Sequence, residues 1–201
     1  MKILVERKIS LSRKSEALVL IQFDGGKPDD NLGLLNERER SRIVAIMKSG
    51  DFKGRLYETH VFYNEGPFKR LILVGMGKPD EFNMEKLRGA YSKAARKLRD
   101  LNVRTFSTIL SRKTGIPDEM SCSAEALVEG VMLGLYRFLP YKTEKKDVLH
   151  DPDMLTIITE RDDDLKVVKQ GAEKARVVCE AVRFTRDLVS SPANVPLFIY
   201  V

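Results

Sequence analysis

Side chains able to do chemistry are few in this chain. It holds two histidines, His60 and His150. A metal centre needs His, Cys, Asp or Glu recurring at short, defined spacings, as in H-E-x-x-H. Neither histidine has such neighbours. Cys122 and Cys179 lie far apart, with no C-x-x-C. They read as small buried hydrophobes on helices, in a protein of a reducing compartment. No G-x-S-x-G elbow and no Cys/His set offers a nucleophile. Asp162-Asp163-Asp164 is the densest run of acids. No further ligand stands near it at a metal-site spacing, so it reads as the start of a helix with Asp164 as N-cap, where negative charge is favoured.

Two stretches are better suited to binding than to catalysis. Gly75-Met76-Gly77-Lys78 follows an apolar run. A glycine-rich strand-to-helix turn can cradle phosphate on free N–H groups. A dinucleotide fingerprint needs a third glycine at position 80, where Asp80 stands and would repel phosphate, and the P-loop pattern is absent. The favoured reading is a turn whose glycines supply special backbone angles. The second stretch is Lys86 to Arg99, which carries Lys86, Arg88, Lys93, Arg96, Lys97 and Arg99 with no acid among them. Such a face can attract nucleic acid or an acidic partner. It is also what a solvated helix face looks like, and no interleaved aromatics strengthen the nucleic-acid reading.

The elements that would hold these residues alternate between short apolar runs and longer helical patterns. Strand-like runs occur at Ile3–Val5, Ala17–Phe23, Tyr57–Tyr63, Leu71–Gly77, Val103–Leu110 and Met154–Thr159. The third and fourth read as a hairpin through Asn64-Glu65-Gly66-Pro67. Leu71–Gly77 is apolar throughout, as a strand covered on both faces should be. Helical patterns run from about Asn31 or Leu34 to Lys48, from Asn83 to Leu101, from Ser121 to Tyr136 and from Leu165 to Val189. In the second, Leu87, Ala90, Tyr91, Ala94, Leu98 and Leu101 share one arc, leaving the cationic side outward. The third is apolar nearly all round and reads as buried, with Gly130 and Gly134 letting another element approach closely. In the fourth, Val168, Ala172, Ala175, Val178, Cys179 and Val182 line the packing face. Gly115-Ile116-Pro117 and Thr143–Asp153 read as loops. The order predicts an α/β domain with a mixed, mostly parallel sheet flanked by helices. No repeat and no linker divides it.

Composition sets the outer bounds. The 201 residues are 43% hydrophobic and 32% charged, which excludes general disorder and low-complexity classes. That length buries a core without staples. The net charge of +6 is uneven: residues 1–100 hold 21 Lys/Arg against 14 Asp/Glu, and the remainder is near neutral. No run reaches the roughly 18 apolar residues of a membrane span, and Met1–Lys8 lacks the apolar region of a signal peptide, so a cytoplasmic location with no membrane partner is expected.

Several stretches resemble the N-terminal domain of the leucyl (cytosol) aminopeptidase family, peptidase family M17. They are Lys69-Arg70-Leu71-Ile72-Leu73-Val74-Gly75-Met76-Gly77-Lys78, Glu85-Lys86-Leu87-Arg88, Ala126 to Phe138, Tyr141-Lys142-Thr143, and Ala181 to Asn194 with its R-D-L-V-x-x-P-A-N pattern. In this order they cover roughly residues 15–194. The resemblance implies a macro-domain-like α/β fold over 1–189, with 190–201 starting the connector to a catalytic domain. It implies a parent enzyme that releases N-terminal amino acids with two Zn or Mn ions, assembled as a homohexamer. The family's metal-binding N-T-D-A-E-G-R motif has no match here, so no catalytic, cofactor-binding or metal residue is carried over. Leu197-Phe198-Ile199-Tyr200-Val201 stands where the family shows a Thr-Pro and a helix, which leaves open a short form, a truncation or a piece of a longer chain. The expected function is that of an accessory domain. The alternative is a stand-alone macro-like module binding ADP-ribose or another nucleotide at the Gly75–Lys78 turn, or DNA at the Lys86–Arg99 face.

Overall fold

The computed structural model describes residues 1–7, 15–26, 35–63, 65–66, 68–112, 119–139 and 149–192. Six strands form one sheet: β1 (Lys2–Arg7), β2 (Ala17–Gln22), β3 (Thr59–Tyr63), β4 (Arg70–Gly75), β5 (Thr105–Ile109) and β6 (Met154–Thr159). Their order is β1-β6-β5-β2-β4-β3. Every pairing is parallel except the β3–β4 hairpin, so the sheet is mixed and mostly parallel, as the alternation predicts. The loop readings at 115–117 and 143–148 lie outside the described residues.

The helices are α1 (Glu37–Ser49), α2 (Met84–Asp100), α3 (Met120–Gly134) and α4 (Asp162–Ser190). Strand alternation sends Val19, Ile72, Val74, Phe106, Leu155 and Ile157 to one core with α2, α3 and α4. Leu18, Leu20, Leu71 and Leu73 point the other way, against Ile43 of α1, Phe52 and Phe62. This is a three-layer α/β domain with three helices on one face and one on the other.

Local chemistry explains most boundaries. Asn36 accepts from the Glu39 N–H while the Glu39 carboxylate accepts from the Asn36 N–H, closing a capping box on α1. Asn83 caps α2 through the Lys86 N–H. α3 is buried by small residues rather than by bulk. A Cβ on Gly130 would run into the Arg88 carbonyl, and one on Gly134 into Ser92, so α2 lies against α3 where the sequence expects a close neighbour. Gly171 of α4 meets the Ser121 carbonyl of α3 in the same way.

Two expectations about α4 are corrected. The helix starts at Asp162, with Arg161 at the N-cap position making no side-chain cap, so Asp164 lies inside the first turn and is not the cap. The reason is an ion pair made from within the fold: Asp164 is 3% exposed and ion-paired to Arg112. Val178 is 45% exposed and does not join Val168, Ala172, Ala175 and Cys179 in the core. Gly171 takes a place on that face instead.

Candidate functional site

The Gly75–Lys78 turn sits at the carboxyl end of β4, where open parallel sheets commonly bind ligands. Its amides are already committed. The Gly75 N–H donates to the Glu58 carbonyl (2.8 Å), the Met76 N–H to Gln22 (2.8 Å) and the Gly77 N–H to Gly54 (2.9 Å). Gly77 has φ +74° and Gly54 φ +81°, a left-handed region that favours glycine. A Cβ on Gly75 would run into the Arg55 carbonyl. The glycines therefore lock the segment around Gly54 and Arg55 onto the sheet end, and the amides at 75, 76 and 77 offer no phosphate cradle. The bland reading of this turn is the one the geometry supports.

The Lys86–Arg99 face is not free of acids once folded. Lys86 pairs with Glu81 at 2.9 Å, and Arg88 pairs with Glu129 of α3 and with Glu85 at 3.2 Å. The hydrogen bond from Lys86 holds the Glu81 carboxyl below its ordinary range. Arg99 is largely buried and lies 3.7 Å from Asp151. Half of the cationic residues are thus tied to carboxylates, all of which come from outside the window. Lys93 and Arg96 remain exposed and Lys97 half-buried, with no acidic partner among the described residues.

The acid triplet is dispersed in the same manner. Asp162 meets Arg7 at 2.7 Å, Asp163 meets Arg161 at 3.2 Å, and Asp164 accepts two bonds from Arg112 at 2.9 and 3.1 Å. Three carboxylates turned to three arginines do not converge on an ion. His60 stacks beside Phe62 with ring centroids 4.8 Å apart, and His150 is exposed. Among the described residues no three His, Cys, Asp or Glu side chains gather as a metal site requires. Cys179 is buried, which pushes its thiol up to about 11, and Cys122 is half-buried, its thiol raised by the Glu119 carboxylate. Neither is set up as a thiolate.

Sequence reasoning missed one constellation. Tyr136, just past α3, donates to Asp187 of α4 at 3.0 Å, and the Arg186 guanidinium lies 5.4 Å from the Tyr136 ring centre. The two sequence blocks that carry part of the family resemblance meet here. Their separation of 51 residues hides the contact.

The comparisons agree with this architecture. The model of the cytosol aminopeptidase family, N-terminal domain, matches residues 19–145. The chain belongs to the cytosol aminopeptidase family, through that domain. A probable cytosol aminopeptidase of Geotalea uraniireducens is 38% identical over 164 residues, which are 80% of this chain and 32% of that protein. One of Gloeothece citriformis is 30% identical over 92% of this chain and 36% of its own length. The chain thus spans about a third of the relatives it matches. Among solved structures, a mutant of tomato leucine aminopeptidase superposes with a TM-score of 0.73 at 20% identity, over 97% of this chain and 39% of that one. The bottromycin maturation enzyme BotP in complex with Mn superposes at 0.61 and 19% identity, over 90% and 33%. No described helix is long and apolar enough to cross a membrane.

Proposed function

We propose that this chain is the accessory N-terminal domain of a two-metal leucyl aminopeptidase of the cytoplasm. The observation that carries the proposal is the family match over 19–145, joined to relatives roughly two and a half times as long. In such an enzyme, two Zn or Mn ions polarise the scissile carbonyl and activate water. Among the described residues no donor set gathers for such a pair, and on this reading its ligands are supplied by the part of the longer relatives beyond this match. The domain's own work is to shape access to the active site and to help place subunits in a homohexamer. Residues 1–189 form the domain on this reading, and 190–201 begin the connector, of which 193–201 lie outside the described residues.

The test is an assay of the purified chain with leucine amide and Mn²⁺ or Zn²⁺. Hydrolysis no faster than with the metal alone is expected. Saturable, metal-dependent turnover would overturn the proposal.

A second reading rests on Lys93, Arg96 and Lys97, the cations left without acids. On this reading the chain is a stand-alone module that binds a polyanion such as duplex DNA. Salt-sensitive duplex binding lost on changing all three to Glu supports it. No duplex binding at low salt ends this reading.

A further inference from the structure

The sheet ends in two edge strands, and they differ. At β3 the Tyr63 carbonyl accepts from the Arg42 guanidinium at 3.2 Å, and the Arg70 guanidinium lies over the Tyr63 ring. Side chains thus blunt that edge. Among the described residues β1 pairs with β6 alone, in unbroken register from Lys2 to Arg7. It has no proline and no bulge, and its charges, Lys2, Glu6 and Arg7, lie at its ends. Such an edge is a template for another strand.

The bonding direction of β1 fixes which groups it offers. The Lys2 N–H donates to the Asp153 carbonyl at 2.7 Å, towards β6. Backbone groups alternate sides along a strand, so Leu4 and Glu6 also bond inward, while Ile3, Val5 and Arg7 turn their N–H and C=O groups outward. A second β1 laid antiparallel must therefore pair outward residues with outward residues. Centring the pair on Leu4 does this. Ile3 then faces Val5 of the other copy and exchanges both N–H···O bonds with it, and Leu4 faces Leu4. The same register sets Lys2 against Glu6 at both ends. Sliding by two residues sets Lys2 or Glu6 against Leu4 and loses both charge pairs. Glu6 also interacts within its own chain, and a carboxylate has acceptor sites to spare for a lysine. On the α4 side a cavity of about 250 Å³ lies beside the strand, lined by Ile3, Val5, Lys169 and Ala172 among others, with room for a partner's apolar side chains.

We propose that β1 is the contact between two copies of this chain, joined antiparallel about Leu4 so that their sheets run on as one. The strand is self-complementary in backbone, in apolar centre and in charge, as a two-fold contact requires. The proposal goes beyond the accessory-domain reading and does not need it, since a stand-alone module carries the same edge.

The test is sedimentation equilibrium of the 201-residue chain over a dilution series, with cysteine cross-linking in a Cys122→Ser background. A dimer is expected. Lys2→Glu should weaken it by on the order of tenfold, by replacing two attractive cross-strand pairs with repulsive ones. The exchange Lys2→Glu with Glu6→Lys should restore it. Oxidised Leu4→Cys should cross-link, because facing residues of that kind have Cα atoms about 4.5 Å apart, within the span of a disulfide. Ile3→Cys and Val5→Cys should not, because each lies about 7–8 Å from its own counterpart. Should the double exchange fail to fold by circular dichroism, the cross-linking decides. A monomer at every concentration overturns the proposal. So does a dimer that ignores Lys2→Glu, or one in which Leu4→Cys cross-links no faster than Ile3→Cys and Val5→Cys. Hydrolysis of leucine amide by the chain bears on the accessory-domain reading and leaves this contact untouched.

Discussion

α3 and the later half of α4 both carry apolar residues, yet those of α3 are mostly buried while Val177 and Val189 of α4 are exposed. α3 is closed in because Gly130, Gly134 and Gly171 let helices meet backbone to backbone, and because the sheet lies beneath it. The later half of α4 has no glycine after Gly171, and Val177 and Val189 are exposed. Apolar content alone therefore does not separate core from surface. The separation comes from which residues permit close approach.

The comparison can be broken most sharply at α3. Gly130→Val forces a side chain onto the Arg88 backbone. It should cost about 3 kcal/mol and lower Tm by about 6–12 °C, read by circular dichroism. A fall under about 2 °C would show that α2 yields and that the close approach is not a constraint. The start of α4 comes next. Asp164→Ala strips Arg112 of a buried carboxylate and should cost about 2 kcal/mol in urea unfolding. Asp163→Ala, on an exposed pair, should cost under about 0.5 kcal/mol. Equal losses would remove the distinction between a buried and a solvated end.

The covered region also has a pH signature. Burial, followed by the Glu129 charge, raises the Cys179 thiol from its ordinary 9.0 to about 11. Burial likewise raises the Tyr91 phenol. In both groups the folded state keeps a proton that the unfolded chain gives up. Stability should be level below about pH 9 and fall as pH rises from there towards 11. Urea midpoints across that range check it, and Cys179→Ala should flatten part of the slope. A modest change is expected at Tyr91→Phe near neutral pH. It removes the 2.9 Å bond to Thr108 while Thr108 keeps its bond to the Val19 carbonyl, for a loss of about 1 kcal/mol.

The elements were legible because periodicity is local. The apolar stripe of α2 and the unbroken run of β4 are visible within a few residues, and so is the small-residue pair of α3. Strand order was not legible, since nothing in Lys2–Arg7 announces a parallel partner at Met154–Thr159. The candidate sites failed for the same reason. The cations of Lys86–Arg99 look unopposed until Glu129 and Asp151 arrive from elsewhere. The acids at Asp162–Asp164 look like one cluster until Arg7, Arg112 and Arg161 draw them apart. Val178 was misplaced because it lies about 90° round the helix from the centre of the Val168, Ala172, Ala175 and Cys179 stripe, where it is exposed.

The role proposed for this domain is as part of a longer aminopeptidase. The most direct measurement is the sequence of the coding DNA past the Val201 codon, read in all three frames. A following segment that carries N-T-D-A-E-G-R is the expected result. Coding or non-coding sequence with no such segment in any frame would contradict the claim and leave a stand-alone domain.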